Sequence, residues 1–413
     1  MKAVGIIAEY NPYHSGHNWH LKEARRLSGR NFSVAVMSGN FVQRGEPAIF
    51  DKWARAKMAV NSGVDLVLEL PVVFAVRSAE YFAAGGIRLL NSLGIVSHVC
   101  FGAEHADINI LSNLAAALNN TQVINNLRQH LALGYSYAAA WGLALEETLD
   151  IPREVVSSPN NILAIEYLRA ITKYAPTLTP ISIARRQAGY HDPLITGALA
   201  SATAIRKAIH DMNNAAWTAV PPESARVIRA IMEQGQQPIN LSHYEQIILA
   251  IIRQSPVNTL AVLPDISEGL ENKLKTAALA SGNIEELLTT LKVKRYSRTR
   301  LQRIIIQSLL GITKLTTQQF DITGPLYIRV LAFNNNGREM LRRISLTASL
   351  PIITKTTHYL NSNKRDYHPL SQLETMLAID TAATDIYALG QANPAFKRGG
   401  TDFRRPALFL SDR

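Results

Sequence analysis

The chain has 413 residues, of which 47% are apolar and 18% are charged; this composition excludes a disordered or fibrous protein, and the length exceeds that of one hydrophobic core. A net charge of +11 favours a polyanionic partner over a membrane or a basic substrate. Only a short apolar run follows Met1 and Lys2, no apolar stretch is long enough to span a bilayer, and the single cysteine, Cys100, suits a reducing compartment. We therefore expect a cytoplasmic protein of two or three domains.

The first half of the chain alternates strand-like and helix-like patterns. Continuous apolar runs predict strands that are buried on both faces, at 3–8, 33–38, 66–70, 98–101 and 181–184. Helical patterns lie between them, at 18–27, 52–61, 79–93, 108–118 and 161–174. This alternation predicts a Rossmann-like α/β domain with a parallel sheet, which we place at residues 1–213.

Four polar or glycine-containing segments follow the predicted strands, at 10–17, 39–44, 102–104 and 185–186. A parallel sheet binds its ligands at the carboxyl ends of its strands. Their shared position therefore predicts one binding site at that edge.

The first of these segments runs through an Asn-Pro turn into His14-Ser15-Gly16-His17, where a helical pattern begins. Two imidazoles and several free backbone N–H groups at a helix N-terminus would stabilise a phosphate. Gly16 lacks a side chain and would let the anion approach the backbone.

Two other interpretations of these histidines stay open. His14, His17 and His20 recur every three residues and could hold zinc, although no Cys or His-Glu-x-x-His arrangement accompanies them. They could also simply cap and pack the helix.

A further helix begins within Ser201-Ala202-Thr203-Ala204-Ile205-Arg206. Ser201, Thr203 and Arg206 are candidate phosphate-binding residues, because hydroxyls and a guanidinium one turn later can hold phosphate oxygens together. A plain helix cap is the alternative. A domain boundary is predicted just after this motif, near Asn213.

The second half, 214–413, is predicted to be a mostly helical, basic domain. Helical patterns fall at 224–234, 242–254, 268–281, 284–291 and 298–310, with strand candidates at 327–333 and 352–354. Residues 292–303 contain six basic residues and no acidic one, and they lead into a helix. Basic charge at a helix start opposes the helix dipole, so this segment predicts polyanion contact, with base stacking on Tyr296, over a merely solvated helix end.

Five long strings carry a family resemblance: Glu-Tyr-Asn-Pro-Tyr-His-Ser-Gly-His at 9–17, Val-Met-Ser-Gly-Asn-Phe-Val-Gln-Arg-Gly-Glu-Pro at 36–47, Gly-Val-Asp-Leu-Val-Leu-Glu-Leu-Pro at 63–71, Ser-Pro-Asn-Asn-Ile-Leu-Ala at 158–164 and Lys-Arg-Tyr-Ser-Arg-Thr-Arg at 294–300. Together they resemble the bacterial tRNA(Met) cytidine acetate ligase family, within the nucleotidyltransferase superfamily that carries His-x-Gly-His. The departures are Tyr13, where Phe is common, and Ser15, where Asn is common.

The resemblance implies an ATP-dependent ligase that forms acetyl-adenylate from acetate and then acetylates the wobble cytidine of elongator tRNA(Met) to N4-acetylcytidine. Magnesium would accompany ATP, no tightly bound cofactor is expected, and no acidic cluster identifies the magnesium ligands. The implied catalytic residues are His14 and His17. The implied ATP-binding residues are Ile7, Ala8, Glu9, Tyr10, Asn11, Pro12, Tyr13, His14, Ser15, Gly16, His17, Asn18, Trp19, His20, Gly102, Asn160 and Arg185. The expected tRNA-binding residues are Lys294, Arg295, Tyr296, Arg298, Arg300 and Arg303.

Two rival functions remain at this point. A small-molecule adenylyltransferase would use the same first-half residues but has no need of a long basic helical half. A non-catalytic tRNA-binding protein would make the His-x-Gly-His placement a coincidence. The sequence does not identify the general base of acetyl transfer, and nothing distinguishes Lys22, Asp51 or Glu104 for that role. Cys100 is disfavoured as a nucleophile because it lies in a predicted buried strand.

Overall fold

The computed structural model describes residues 1–117, 120–135, 137–149, 155–156, 158–185, 200–267, 269–293 and 295–411. Its strands are β1 (Ala3–Ala8), β2 (Phe32–Ser38), β3 (Phe41–Val42), β4 (Glu46–Pro47), β5 (Leu66–Leu70), β6 (Val96–Ala103), β7 (Thr179–Ala184), β8 (Ile328–Phe333), β9 (Ile352–Ile353) and β10 (Leu408–Phe409).

Helices connect and follow these strands. In the first half they are α1 (Ser15–Ser28), α2 (Lys52–Asn61), α3 (Val72–Ala75), α4 (Ala79–Ser92), α5 (Ile108–Ala117), α6 (Thr121–Ala132), α7 (Tyr137–Leu149), α8 (Pro159–Tyr174) and α9 (Ala202–His210). The second half contains α10 (Pro222–Glu233), α11 (Glu245–Gln254), α12 (Val257–Ala261), α13 (Leu270–Ala280), α14 (Ile284–Leu291), α15 (Arg298–Leu310), α16 (Lys314–Thr323), α17 (Asn335–Thr347), α18 (Ser362–Tyr367), α19 (Gln372–Ala388) and α20 (Thr401–Arg404).

The main sheet has the strand order β10-β8-β5-β2-β1-β6-β7, and β9 pairs with β8. The strands from β5 to β7 in this order are parallel, whereas β8 runs antiparallel to β5. From β1 the chain moves outward through β2 to β5, and it then returns to place β6 on the other side of β1. The strand order therefore reverses between β1 and β6, and sheets of this kind have their ligand crevice at the carboxyl ends of the strands that flank such a reversal.

Apolar side chains cover both faces of the sheet. One cluster, which includes Leu90 of α4 and Leu168 of α8, lies on one face. A second, which includes Leu21 of α1 and Ile228 of α10, lies on the other. A third cluster joins the helices α11 to α15 with α19. The predicted α/β class with a helical second half is confirmed, because burial on both faces is what the continuous apolar runs required.

The predicted first-half elements all occur, with ends shifted by a few residues. The bounds of α2, α14 and α15 agree with the predicted 52–61, 284–291 and 298–310, while the predicted helix ends at Leu118 and Glu268 lie outside the described residues. The elements that were not predicted are the β3–β4 hairpin, the strand β10 and the helices α3, α6, α7, α12, α16, α17, α18, α19 and α20. Among the described residues, no helix is long and apolar enough to cross a membrane.

The strand at 328–333 occupies a different position in the fold from the one that we predicted. It was expected within the separate, mostly helical second domain, but it lies beside β5 in the main sheet. An apolar run reveals which faces of a strand are buried and not which strand it pairs with. The division after residue 213 stays a prediction, and the sheet contains three short strands from beyond that point, β8 to β10.

Candidate active site

The loop between β1 and α1 lies at the crevice. Tyr10 has a positive φ of 47°, which turns the chain at the end of β1, and the Asn11–Pro12 peptide bond is cis. The Ser15 N–H, at the first residue of α1, donates to the Ala219 carbonyl at 3.0 Å. The ATP-binding residues predicted from Ile7 to His20 therefore span the end of β1, this turn and the first two turns of α1.

His14 and His17 cap α1 with their own imidazoles. His14 Nδ1 accepts the Gly16 N–H at 3.1 Å, and His17 Nδ1 accepts the His14 N–H at 3.2 Å. Because both Nδ1 atoms accept, each neutral ring carries its proton on Nε2. The cap thus leaves two Nε2–H donors for a ligand.

Burial keeps these rings neutral. It lowers the pKa of His14 to about 3, with the guanidinium groups of Arg185 and Arg206 adding to the effect. Burial also holds the pKa of His17 well below its usual value, assisted by His14 and His20. At neutral pH both imidazoles are hydrogen-bond donors and not cations, and the positive charge at the site comes from the arginines.

Gly16 makes room for this arrangement. A Cβ atom at Gly16 would lie 2.9 Å from Cε1 of His14, which is too close for any side chain. The imidazole of His14 therefore occupies the space that glycine leaves. The predicted close approach of an anion to the Gly16 backbone stays untested.

Glu104, Asn160 and Arg185 form a hydrogen-bonded chain beside the crevice. Glu104 accepts from the Asn160 side-chain amide at 2.5 Å, and Arg185 donates to Asn160 Oδ1 at 2.7 Å. Glu104 also accepts the Asn161 backbone N–H at 2.9 Å, so its carboxylate fixes the start of α8. The predicted residues Asn160 and Arg185 are thus in direct contact, and Glu104 orients the amide between them.

Gly102 lies near the end of β6, and its backbone is close to the side chain of Arg185. A Cβ atom there would be 3.3 Å from Arg185 Cγ, so a larger residue would displace that arginine. The structure thereby brings the predicted Gly102 next to the chain of Glu104, Asn160 and Arg185. The neighbouring Arg186 lies outside the described residues.

The motif at 201–206 contacts the β1–α1 loop through Arg206. Ser201 Oγ accepts the Ala204 N–H at 3.1 Å, so Ser201 is the N-cap of α9. Arg206 donates to the Asn11 carbonyl at 3.2 Å and to Thr203 Oγ1 at 3.3 Å. The cap interpretation is therefore correct for Ser201, while phosphate binding by the three residues stays a prediction.

Sequence reasoning missed one polar group beneath the loop, the guanidinium of Arg55. Arg55, buried in α2, donates to the carbonyls of Glu9 at 2.6 Å, Phe50 at 2.9 Å and Ser38 at 3.0 Å. Asn11 Oδ1 accepts the Ile49 N–H at 2.7 Å, whereas its buried Nδ2 has no partner among the described residues. An arginine on the buried face of a predicted helix was the one signal for Arg55.

The basic segment is tied to the protein more closely than predicted. Tyr296 is only 8% exposed within the third apolar cluster, and the Arg300 guanidinium lies 4.9 Å from its ring centroid. The ring packs in a core, which leaves little surface for a base, and base stacking on Tyr296 stays a prediction. Its aromatic character was equally compatible with burial.

The arginines of this segment also have protein partners. Arg303 is buried and donates to Asp265 at 3.0 Å, Arg300 bonds the Asp265 carbonyl at 2.9 Å, and the exposed Arg298 pairs with Glu285. Arg295 is half-buried, and Lys294 lies outside the described residues. RNA contact at these positions stays a prediction, with Arg298 the most exposed of the four arginines.

The remaining alternatives concern metal and thiol chemistry. In the described ranges, no group of three or more His, Cys, Asp or Glu side chains could hold a metal ion, and this covers His14, His17 and His20. Cys100 is buried in β6 with its Sγ 3.6 Å from His20 Nε2. Burial raises the pKa of the Cys100 thiol, which disfavours a reactive thiolate.

Comparisons with known proteins agree with this geometry. A family model described as HIGH Nucleotidyl Transferase matches residues 1–402. The tRNA(Met) cytidine acetate ligase of Acetivibrio thermocellus is 38% identical and that of Thermoanaerobacter sp. 40% identical, each over 99% of this chain and 100% of the relative.

Two solved structures are similar over the whole length of both chains. Thermotoga maritima TmcAL in its apo form superposes with a TM-score of 0.93 at 33% identity. The same protein bound with alpha-thio ATP gives a TM-score of 0.90 at 32% identity. The chain therefore belongs to the HIGH nucleotidyl transferases and, among them, to the tRNA(Met) cytidine acetate ligase family.

Proposed function

We propose that this protein activates acetate with ATP and transfers the acetyl group to the wobble cytidine of elongator tRNA(Met), forming N4-acetylcytidine. The observation that carries the proposal is the pair of neutral imidazoles at the start of α1, with Arg185 and Arg206 near enough to depress the pKa of His14. The relative solved with alpha-thio ATP supports ATP as a ligand of this protein.

In the first step, a carboxylate oxygen of acetate attacks the α-phosphorus of ATP, and the bond to the leaving pyrophosphate breaks. Negative charge builds up on the phosphate oxygens as this occurs. The Nε2–H groups of His14 and His17, with backbone N–H groups of α1, would donate to those oxygens. Arg185 would supply permanent positive charge, and ATP would enter as its magnesium complex.

In the second step, the exocyclic amine of cytidine attacks the acetyl carbonyl and AMP leaves. A cytosine amine is a weak nucleophile, so this step depends mainly on holding a flipped base against the mixed anhydride. Glu104 is engaged by Asn160 and Asn161, which makes it a positioning residue for the nucleotide site. Arg295, Arg298, Arg300 and Arg303 supply basic charge, and Arg298 is the group best exposed for RNA contact.

The rival small-molecule adenylyltransferase is less well supported. The relatives that match this chain over its full length are named as tRNA-modifying ligases. An additional basic half of about two hundred residues is unnecessary for a small phosphorylated substrate. Substrates of this kind, ATP and tRNA, also support a cytoplasmic location.

Pyrophosphate–ATP exchange tests the proposal. The purified protein is assayed with and without acetate, first alone and then with unmodified elongator tRNA(Met). We expect exchange that depends on acetate, and N4-acetylcytidine once tRNA is present. Exchange that requires a phosphomonoester instead of acetate would favour the adenylyltransferase, and tRNA binding without any ATP turnover would favour a non-catalytic protein.

A further inference from the structure

A separate cavity of about 530 Å³ opens between the first turn of α2 and the C-terminal segment 391–405. Its lining includes Trp53 and Tyr387, the hydroxyl residue Thr384, and three arginines, Arg398, Arg404 and Arg405. None of these residues contributes to the nucleotide crevice described above. The cavity therefore needs its own explanation.

The arginine-bearing segment is anchored by buried charges. Asp402, which precedes Arg404 and Arg405, is 1% exposed and pairs with Lys52 of α2 at 2.9 Å and with Arg329 of β8. The Gly400 N–H donates to Asp385 of α19 at 2.6 Å. Because these contacts join four elements of the fold, the arginines are held at the cavity and do not belong to a loose tail.

The charge of the lining favours an anion. Asp51 is the one carboxylate among the lining residues; it already caps α2 through the Ala54 N–H at 2.7 Å and lies 3.4 Å from Arg405. Arg404 donates one bond to the Gly399 carbonyl, which leaves most of its N–H groups available. Three guanidinium groups against one engaged carboxylate give a positive rim.

The floor of the cavity has a different character. Trp53 and Tyr387 are each only 3% exposed, and the Arg405 guanidinium lies 5.2 Å from the Trp53 ring centroid. Phe396, which is half-buried, is the aromatic lining residue with more of its ring exposed. Amide groups of Asn40 and Gln391 border the same space. Aromatic surface beneath a basic rim is the combination that binds single-stranded nucleic acid, with the base against the floor and the phosphate on the arginines.

The cavity adjoins the nucleotide crevice through Arg55. Asn40 follows β2, and the two residues before it, Ser38 and Gly39, accept hydrogen bonds from Arg55 through their carbonyls. The same guanidinium holds the Glu9 carbonyl of the β1–α1 loop. The two sites therefore border neighbouring loops, at the carboxyl ends of the adjacent strands β1 and β2.

We propose that this cavity binds a nucleotide of the RNA substrate that neighbours the acetylated cytidine, with its phosphate on Arg398 and Arg404 and its base against Phe396. The proposal rests on the proposed function, since it assigns a place to the RNA of that reaction. It does not involve the basic segment 292–303.

Two variants and one matched control test it. Arg398→Gln/Arg404→Gln removes charge from the rim, and Ala395→Trp, at an exposed lining position, fills the mouth without changing charge. Arg26→Gln/Arg342→Gln removes the same charge from two exposed helix positions away from the cavity. The dissociation constant of unmodified elongator tRNA(Met) transcript is measured from about 50 to about 300 mM KCl. The dependence of this constant on salt separates contacts to phosphates from uncharged contacts.

For the rim variant we expect about tenfold weaker binding and a salt slope that is smaller by about 0.7, since the two arginines hold one phosphate and each neutralised phosphate contributes about 0.7. Ala395→Trp should weaken binding by a similar factor, while acetate-dependent pyrophosphate exchange and thermal unfolding stay as in the unaltered protein. Binding by both cavity variants equal to that of the control would overturn the proposal. If the rim variant does not fold, Ala395→Trp decides alone.

The failure of the proposed function gives a different result. In that case the unaltered protein would show no acetate-dependent exchange, whether or not it binds tRNA. Normal exchange and tRNA binding in the unaltered protein, with no effect of either cavity variant, would reject the cavity proposal only.

Discussion

The imidazole rings of His14 and His17 stack with their centroids 3.6 Å apart and their planes inclined by 23°. Two protonated rings would repel each other at this distance, so the stack requires that they are not both charged. The capping bonds fix which nitrogen carries the proton. The motif is therefore a pair of neutral N–H donors, available for the phosphate oxygens that the proposed function requires.

His17→Ala should reduce acetate-dependent pyrophosphate exchange by about 10²–10³-fold, because it removes a donor to charge that develops at the α-phosphate. His243→Ala is a matched control, since His243 Nδ1 accepts the Asn240 N–H at 3.2 Å in the same capping arrangement on another helix. Equal exchange rates in the two variants would show that His17 contributes only a helix cap.

Acid should destabilise the protein through its buried histidines. The pKa of His14 is lowered to about 3, so the folded protein binds fewer protons than the unfolded chain below pH 6.5. The contribution of the neutral His14 ring to the free energy of unfolding is fully present above about pH 6.5. It declines as the pH falls towards about 3, by about 1.4 kcal/mol per pH unit at most.

His14→Asn isolates this effect, because asparagine also caps a helix and does not titrate. Urea unfolding at pH 7, 6 and 5 should show a smaller loss of stability in the variant than in the unaltered protein. Asp380, whose pKa is raised to about 7 by burial and by Glu69, acts with the opposite sign but equally in both proteins. If the free energy of unfolding falls equally with pH in the two proteins, His14 is not a neutral, buried ring in the unaltered protein.

Glu104→Gln should raise the KM for ATP about tenfold and change kcat less, because a Gln amide cannot accept from both Asn160 and the Asn161 N–H as the carboxylate does. Asp107→Asn removes a neighbouring, exposed carboxylate that caps α5 and serves as the control. A drop in kcat with an unchanged KM would indicate instead that Glu104 acts in the chemical step.

Cys100→Ala should leave acetyl transfer to tRNA within about twofold of its normal rate, since a buried thiol with a raised pKa is a poor nucleophile. Intact mass spectrometry during turnover checks the same point. Loss of transfer with exchange retained, together with an acetylated protein in the unaltered enzyme, would establish a covalent route through Cys100.

Arg295→Gln/Arg298→Gln should weaken tRNA binding and reduce its salt slope by about 1.4, if both residues contact phosphates. Arg300 and Arg303 are left in place, because their bonds to Asp265 make them part of the folded core. The measurement is the tRNA dissociation constant across a KCl series, with Arg26→Gln/Arg342→Gln as the control. An unaltered slope would assign the segment to a solvated helix start.

The amino-acid sequence by itself determined the features that depend on neighbours along the chain. The strand, turn and helix of the first twenty residues follow from local patterns, and so does the cap formed by His14 and His17. Buried strands such as β1, β2 and β5 were predictable because a continuous apolar run needs cover on both faces, whatever covers it.

Tertiary structure alone decided which distant side chains meet. Arg206 reaches the Asn11 carbonyl across 195 residues of sequence, and Asn160 reaches Glu104 across 56. It also buried Tyr296 and placed β8 beside β5, contrary to what local pattern suggested. The physical reason is that a residue's type limits the bonds it can make, whereas the packing of the whole chain determines which partner lies within reach.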